Sequence, residues 1–213
     1  MTIFLDDTDY RCFVYLLGDV FEALHVECWS YCAMPNHYHA TLRPTAPNLS
    51  EAIRLLNSRY AQWWNRRHGR VGHVFQGRFK DQVVQQEGYL LALGRYIARN
   101  PVEASLVERP EDWKWSSYSA IAGLQPPPSF LWSEGVLRGY GDAEHSILQS
   151  RFMNHVCSAD DDGRSLEDRI RSDERVLGTR AFKRSVDDRH RQFVEAGAGE
   201  REAKHTLNTE IRV

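Results

Sequence analysis

The stretch from Val26 to Leu42 constrains this chain more than any other. It is apolar before and after one interruption, running Cys28-Trp29-Ser30-Tyr31-Cys32-Ala33, then Met34-Pro35-Asn36-His37-Tyr38-His39, then Ala40-Thr41-Leu42. Such a run reads as strand, or as two strands joined by a turn near Met34-Pro35-Asn36. Side chains on a strand alternate between faces, so His37 and His39 point the same way, roughly 7 Å apart. Two imidazoles at that spacing can grip one divalent metal. Taken alone, a His-x-His pair on a strand is more often a structural pair than a metal site.

Periodicity supplies the surrounding elements. Phe13, Leu16, Leu17, Val20, Phe21 and Leu24 recur at helical spacing, which predicts an amphipathic helix over 10–24. A second helix opens near Asn48-Leu49-Ser50, with Ser50 as its N-cap, and runs to Gly69 through Ile53, Leu56, Tyr60, Trp63 and Trp64. Residues 73–84 read as a short strand bent at Gly77. A third helix spans 87–99 and stops near Asn100, because Pro101 disfavours helical geometry in the residue before it. Helix, strands, helix, strand, helix suits an α+β fold: an antiparallel sheet with helices on one side. The expected organisation is a domain over 1–125, a linker and small helical extension over 126–157 that includes Pro126-Pro127-Pro128, and a polar, partly helical or disordered tail over 158–213.

With 42% hydrophobic and 11% aromatic residues, the 213-residue chain has the composition of a folded protein with one good core. No apolar run approaches the roughly 20 residues that span a membrane. The start, Met1-Thr2-Ile3-Phe4-Leu5-Asp6-Asp7, lacks the basic and apolar regions of a signal peptide. The expected location is therefore cytoplasmic, with Cys12, Cys28, Cys32 and Cys157 reduced. The net charge of −2 hides an asymmetry. From Arg54 to Lys80 the cations are Arg54, Arg59, Arg66, Arg67, Arg70, Arg78 and Lys80, with no acid among them. A polyanionic partner is one reading of that stretch, and a solvated helix face is the other.

The segment Arg95-Tyr96-Ile97-Ala98-Arg99-Asn100-Pro101 supplies further chemistry. Tyr96 and Asn100 are four apart on a helix and share a face. A tyrosine phenolate can attack phosphorus. Forming it at neutral pH costs about 4 kcal/mol, three pK units at 1.36 kcal/mol each, a cost that a nearby cation lowers. An Asn carbonyl oxygen suits Mg²⁺ or Mn²⁺. His37, His39 and Asn100 are thus candidate ligands, with Tyr96 beside the metal. Taken singly, Tyr96 is also a good packing residue and Asn100 a good helix stop.

Several segments in fixed order give the chain a family likeness. They are Met34-Pro35-Asn36-His37-Tyr38-His39, the run from Asn65 to Lys80, Tyr89-Leu90-Leu91, Arg95 to Val102, and Leu106 to Tyr118. Together they resemble the HUH single-tyrosine transposases, and more closely the REP-associated tyrosine transposases, from about Ile3 to Ala122. The resemblance implies a ferredoxin-like fold, His37 and His39 as metal ligands with Asn100 as the third, and Tyr96 as nucleophile. It implies cleavage of single-stranded DNA at palindromic hairpins through a 5′-phosphotyrosine link, with a divalent metal (Mg²⁺ or Mn²⁺) and no nucleotide cofactor. Arg59, Arg66, Arg67, Arg70, Arg78 and Lys80 would then hold phosphates, while Trp63, Trp64 and Phe75 would stack on bases. A homodimer is a further expectation.

Members of the family usually begin with an additional strand, carrying an Arg-Gly-Asn-like turn, ahead of the segment at Ile3. This chain starts after it, which leaves an open edge expected beside the histidine strand. Two other classes compete with the enzyme. One is a remnant that binds hairpin DNA without cutting it. The other is a structural zinc module of Cys28, Cys32, His37 and His39, disfavoured because even and odd positions of one strand face opposite sides.

Overall fold

The computed structural model describes residues 1–76, 79–85, 89–158, 176–195 and 208–212. Helix α1 spans Asp7–Ala23. It starts where Asp6, in extended conformation, accepts hydrogen bonds from the Thr8 and Asp9 amides, which the helix itself leaves unpaired. Strands β1 (Val26–Met34) and β2 (His37–Pro44) follow, joined by Pro35 and Asn36 alone. The apolar run is therefore an antiparallel hairpin, with Met34 opposite His37.

Helix α2 spans Leu49–His68, and its N-cap is Asn48, not Ser50. It ends at Gly69, whose left-handed φ of 61° glycine adopts without a Cβ clash. Strand β3 covers only Lys80–Val84, so residues 73–76 of the expected strand are irregular. Helix α3 spans Tyr89–Glu103 and does not stop at Asn100: Pro101 lies inside it. A proline this close to a helix end forfeits a single ladder bond. The chain beyond it closes through Ala104 donating to the Asn100 carbonyl and Leu106 to that of Pro101, both at 2.9 Å. Short helices α4 (Tyr118–Ile121) and α5 (Glu134–Leu137) lead to α6 (His145–Cys157). Strand β4 (Val176–Leu177), helix α7 (Arg180–Glu195) and strand β5 (Asn208–Arg212) complete the described elements.

The sheet runs β1-β2-β5-β3-β4 and is antiparallel apart from the short β3–β4 pair. The expected α+β class with an antiparallel sheet is what the chain adopts. Two differences matter for the site. The edge of β2, expected to be open, is occupied by β5, so part of the stretch read as a polar tail supplies a central strand. The helices also cover both faces rather than one. Tyr38 meets Phe13 of α1 at 4.7 Å between ring centroids and donates to Asn57 of α2 at 2.9 Å. Its neighbour His39 points the other way and meets Tyr96 of α3. Alternation along β2 thus places α1 and α2 on one face and α3 on the other.

Each face has its own apolar core. Phe13, Leu17, Tyr38, Ile53, Leu56 and Tyr60 belong to the larger one. Cys32, Met34, Val84, Leu93, Tyr96 and Ile97 form the smaller one beneath α3. The outer edge of β1 is covered by chain that follows α3. Ala33 donates to Trp115, Ser117 to Tyr31, and Trp132 to Cys28, all through the backbone at 2.7–2.9 Å. This leaves β1 no free edge for another strand along those residues. Among the described residues, no helix is long and apolar enough to cross a membrane.

Candidate active site

The hairpin places His37 and His39 on the α3 face, with their Nε2 atoms 3.1 Å apart. His37 is half-buried, at the start of β2, and His39 is fully buried. The Nδ1 of His37 donates to the Asn36 Oδ1 at 2.7 Å. In the neutral ring that leaves its Nε2 as a lone pair, the form in which an imidazole ligates metal. Asn36 therefore orients the first histidine from the turn itself. Its place just before His37 was the one clue the sequence offered.

Tyr96 comes to this pair from α3. Its ring meets that of His39 edge-on, with centroids 5.4 Å apart. One turn on, the Asn100 side-chain amide donates to the Tyr96 backbone carbonyl at 2.8 Å. That bond ties the Asn100 side chain to the tyrosine's own turn and leaves the amide oxygen as its acceptor. His37, His39 and Tyr96, predicted from separate segments, thus meet across the hairpin and α3, while Asn100 is tied to the backbone of the tyrosine's turn.

The zinc alternative fails on register. Cys32 lies opposite His39 and Cys28 opposite Leu42, so the two thiols sit on different faces, β1 shifting register between Cys28 and Ser30. Cys32 does share the histidine face, against the parity expectation, because the hairpin turn resets the alternation between strands. Burial pushes both thiols far above their ordinary pKa, which disfavours the thiolate a metal needs. Among the described residues, no three His, Cys, Asp or Glu side chains gather to hold a metal.

The basic segment is divided by the fold. Arg67 donates to both Asp6 oxygens at 2.7 and 2.8 Å and also contacts Asp9, which is fully buried. Its guanidinium holds the Asp6 carboxyl well below the usual carboxylate range. His68 closes on the same Asp9 at 2.9 Å. Arg59 pairs with Asp19 of α1. Trp64 is 2% exposed and belongs to the core. Trp63 and Phe75 are half-buried against Tyr60, at 5.9 and 6.0 Å between ring centroids. Arg66, Arg70 and Lys80 are exposed, and Arg78 lies outside the described residues.

All the α2 positions sit on the face opposite the histidines, yet at the same end of the sheet. The Tyr60 hydroxyl donates to the Ile3 carbonyl at 2.6 Å, and the Ile3 amide donates at 2.9 Å to Pro35 in the hairpin turn.

Two arginines beside Tyr96 have a role the sequence did not disclose. Buried Arg95 donates from Nε to the His155 carbonyl and from Nη2 to that of Ser158, both at 3.1 Å. Arg99 donates to the Val156 carbonyl at 3.0 Å. They cap the C-terminal end of α6, where carbonyls lack helical partners and the helix dipole favours cations. The tyrosine helix is thereby locked to the extension. An arginine on a helix that buries its neighbours Gly94 and Tyr96 is the signal that marks such an anchor.

A paired histidine site facing a tyrosine on a neighbouring helix defines the single-tyrosine HUH class. Residues 3–100 match the family model described as Transposase IS200 like. That segment is similar to the IS200-like transposases, and the similarity supports a transposase-type function with DNA binding and DNA cleavage. Comparison with curated proteins and with solved structures returned no match.

Proposed function

We propose that this chain is a transposase: a metal-dependent endonuclease and strand transferase for single-stranded, hairpin-forming DNA, with Tyr96 as its nucleophile. One observation carries the reading: two imidazole Nε2 atoms 3.1 Å apart with the Tyr96 ring edge-on to His39 at 5.4 Å. His37 and His39 fit a divalent cation. Two nitrogen donors this close on one face could hold one cation between them. Asn100 supplies a third donor of the hard oxygen type that Mg²⁺ and Mn²⁺ prefer. When bound, the cation polarises the scissile phosphate as a Lewis acid.

The protein's own groups do the rest. The Tyr96 phenolic oxygen loses its proton to solvent and attacks phosphorus. A bond forms between that oxygen and phosphorus, and the bond from phosphorus to the 3′ oxygen breaks. The leaving 3′ oxygen takes up a proton and becomes a hydroxyl, while the 5′ side stays on the enzyme as a phosphotyrosine. A 3′-hydroxyl attacking that link reverses the chemistry and rejoins strands without a nucleotide triphosphate. The exposed Arg66 of α2 and Arg70 just beyond it suit the DNA backbone, and half-buried Trp63 and Phe75 suit unpaired bases.

A covalent-adduct assay tests this. Labelled single-stranded hairpin DNA from the genomic flanks is incubated with protein and Mg²⁺ or Mn²⁺, then run on a denaturing gel. The wild type forms an adduct, and Tyr96→Phe and His37→Ala do not. Hairpin binding without any wild-type adduct refutes the enzyme and leaves the binding-only remnant.

A further inference from the structure

We propose that β5 is an insertable strand: the slot between β2 and β3 binds the chain's own C-terminal segment, and its occupancy holds the histidine strand in position. The sheet order carries the idea. Strand β2 pairs with β5 from His39 opposite Arg212 to Leu42 opposite Thr209. Strand β3 pairs with the other edge of β5, from Lys80 opposite Arg212 to Val84 opposite Asn208. In the strand order β2 and β3 are never neighbours, so β5 is the link between the hairpin and the rest of the sheet. Withdrawing it leaves rows of backbone donors and acceptors unpaired on both strands, the backbone of His39 among them.

The composition of β5 is unusual for its place. A strand flanked on both edges is central to its sheet, and central strands are normally rich in apolar residues. Asn208-Thr209-Glu210-Ile211-Arg212 has a single apolar residue. Its hold on the slot must come chiefly from main-chain hydrogen bonds, the mode by which extended peptides add to sheet edges. Binding of that kind is reversible, and β5 lies at the far end of the chain from the hairpin it completes.

Position gives the insertion its functional weight. Val84 of β3 shares the smaller core with Tyr96 and Ile97 of α3. An occupied slot therefore ties the histidine strand to the strand that packs under the tyrosine helix. With β5 in place, the histidines and Tyr96 are held in one frame. This consequence rests on the reading of His37 and His39 as metal ligands, whereas the insertion itself does not.

The test uses full-length protein. Glu210→Pro puts a residue without an N–H in the middle of a central strand and expels it. A labelled peptide of residues 206–213 binds this variant but not the wild type, measured by fluorescence anisotropy. Mn²⁺ affinity, measured by calorimetry, falls about 10–100-fold in the variant, as when a metal site loses an orienting neighbour, and the added peptide restores it. Failure of the peptide to bind, or Mn²⁺ affinity unchanged in the variant, overturns the proposal.

Should Glu210→Pro fail to fold, the pair Gln82→Cys and Glu210→Cys, which face each other in the register, decides the matter. A disulfide within one chain supports insertion in cis. A disulfide only between chains, or none, overturns it. Peptide binding by a protein whose wild type takes no Mn²⁺ would leave the insertion standing and strike only at the metal reading.

Discussion

Replacing Arg67 with alanine sets two roles for one residue against each other. The sequence places it among the phosphate-binding cations, while the fold seats it between Asp6 and the fully buried Asp9. Breaking a buried ion pair from one side costs about 3–5 kcal/mol, because a charge is left without compensation. Here Asp9 keeps the Leu5 amide at 2.8 Å and His68 at 2.9 Å. The Arg67 side chain is also 29% exposed, and its pair with half-exposed Asp6 is screened by water. The loss therefore settles near 2 kcal/mol, below the range for a fully buried pair. With a urea dependence of about 2 kcal/mol per molar, the unfolding midpoint drops by about 1 M. Urea titration followed by circular dichroism reads this directly. Hairpin-DNA affinity is measured alongside as a function of salt, and its slope stays that of the wild type. A midpoint unchanged within about 0.2 M, together with a salt slope lower by about one, would refute the structural role and return Arg67 to the DNA.

Further predictions follow from the same contacts. Asp6 has a folded-state pKa depressed by Arg67, so its contribution is present in full above the unfolded value of about 4 and is lost as pH falls toward the folded one. The urea midpoints of wild type and Asp6→Asn accordingly differ by a constant amount near neutrality and converge below about pH 4. Arg95→Met removes two charge-assisted bonds to the end of α6. Calorimetry should show a loss of about 3 kcal/mol, a melting point lower by roughly 6–12 °C. Gly135→Ala drives a methyl group into the Trp29 indole, an overpacking that destabilises by about 1–3 kcal/mol in the same experiment.

The elements most legible in the sequence were those whose pattern is local. Periodicity in Phe13, Leu17, Val20 and Phe21 found α1, and the Pro35-Asn36 break marked the hairpin turn. The His-x-His alternation put both imidazoles on one face before any sheet was known. Strand β5 was invisible for the opposite reason: one apolar residue in five gives no period, and only its partners on β2 and β3 make it a strand. The stop predicted at Asn100 failed because a rule about one dipeptide was outweighed by the bonds that close α3 beyond Pro101. Ser50 lost the N-cap of α2 to Asn48, a shift of two residues that local composition does not resolve.

The basic segment teaches the sharpest distinction, between charge along the chain and charge in space. No acid lies between Arg54 and Lys80 in sequence, yet α1 and its cap bring Asp6, Asp9 and Asp19 against Arg59 and Arg67. Two of the apparent cations are thereby neutralised inside the protein, and Trp64 is withdrawn into the core. What remains exposed around the C-terminal end of α2 is narrower, with Arg66 on the helix and Arg70 just past it. That surface lies behind the sheet from Tyr96 but meets the hairpin turn through the Tyr60, Ile3 and Pro35 contacts. If the proposed function holds, a DNA strand gripped there would reach the histidines by rounding the turn at Asn36, not by crossing the sheet. On the proposed function, the residue that orients His37 therefore sits on the path of the DNA.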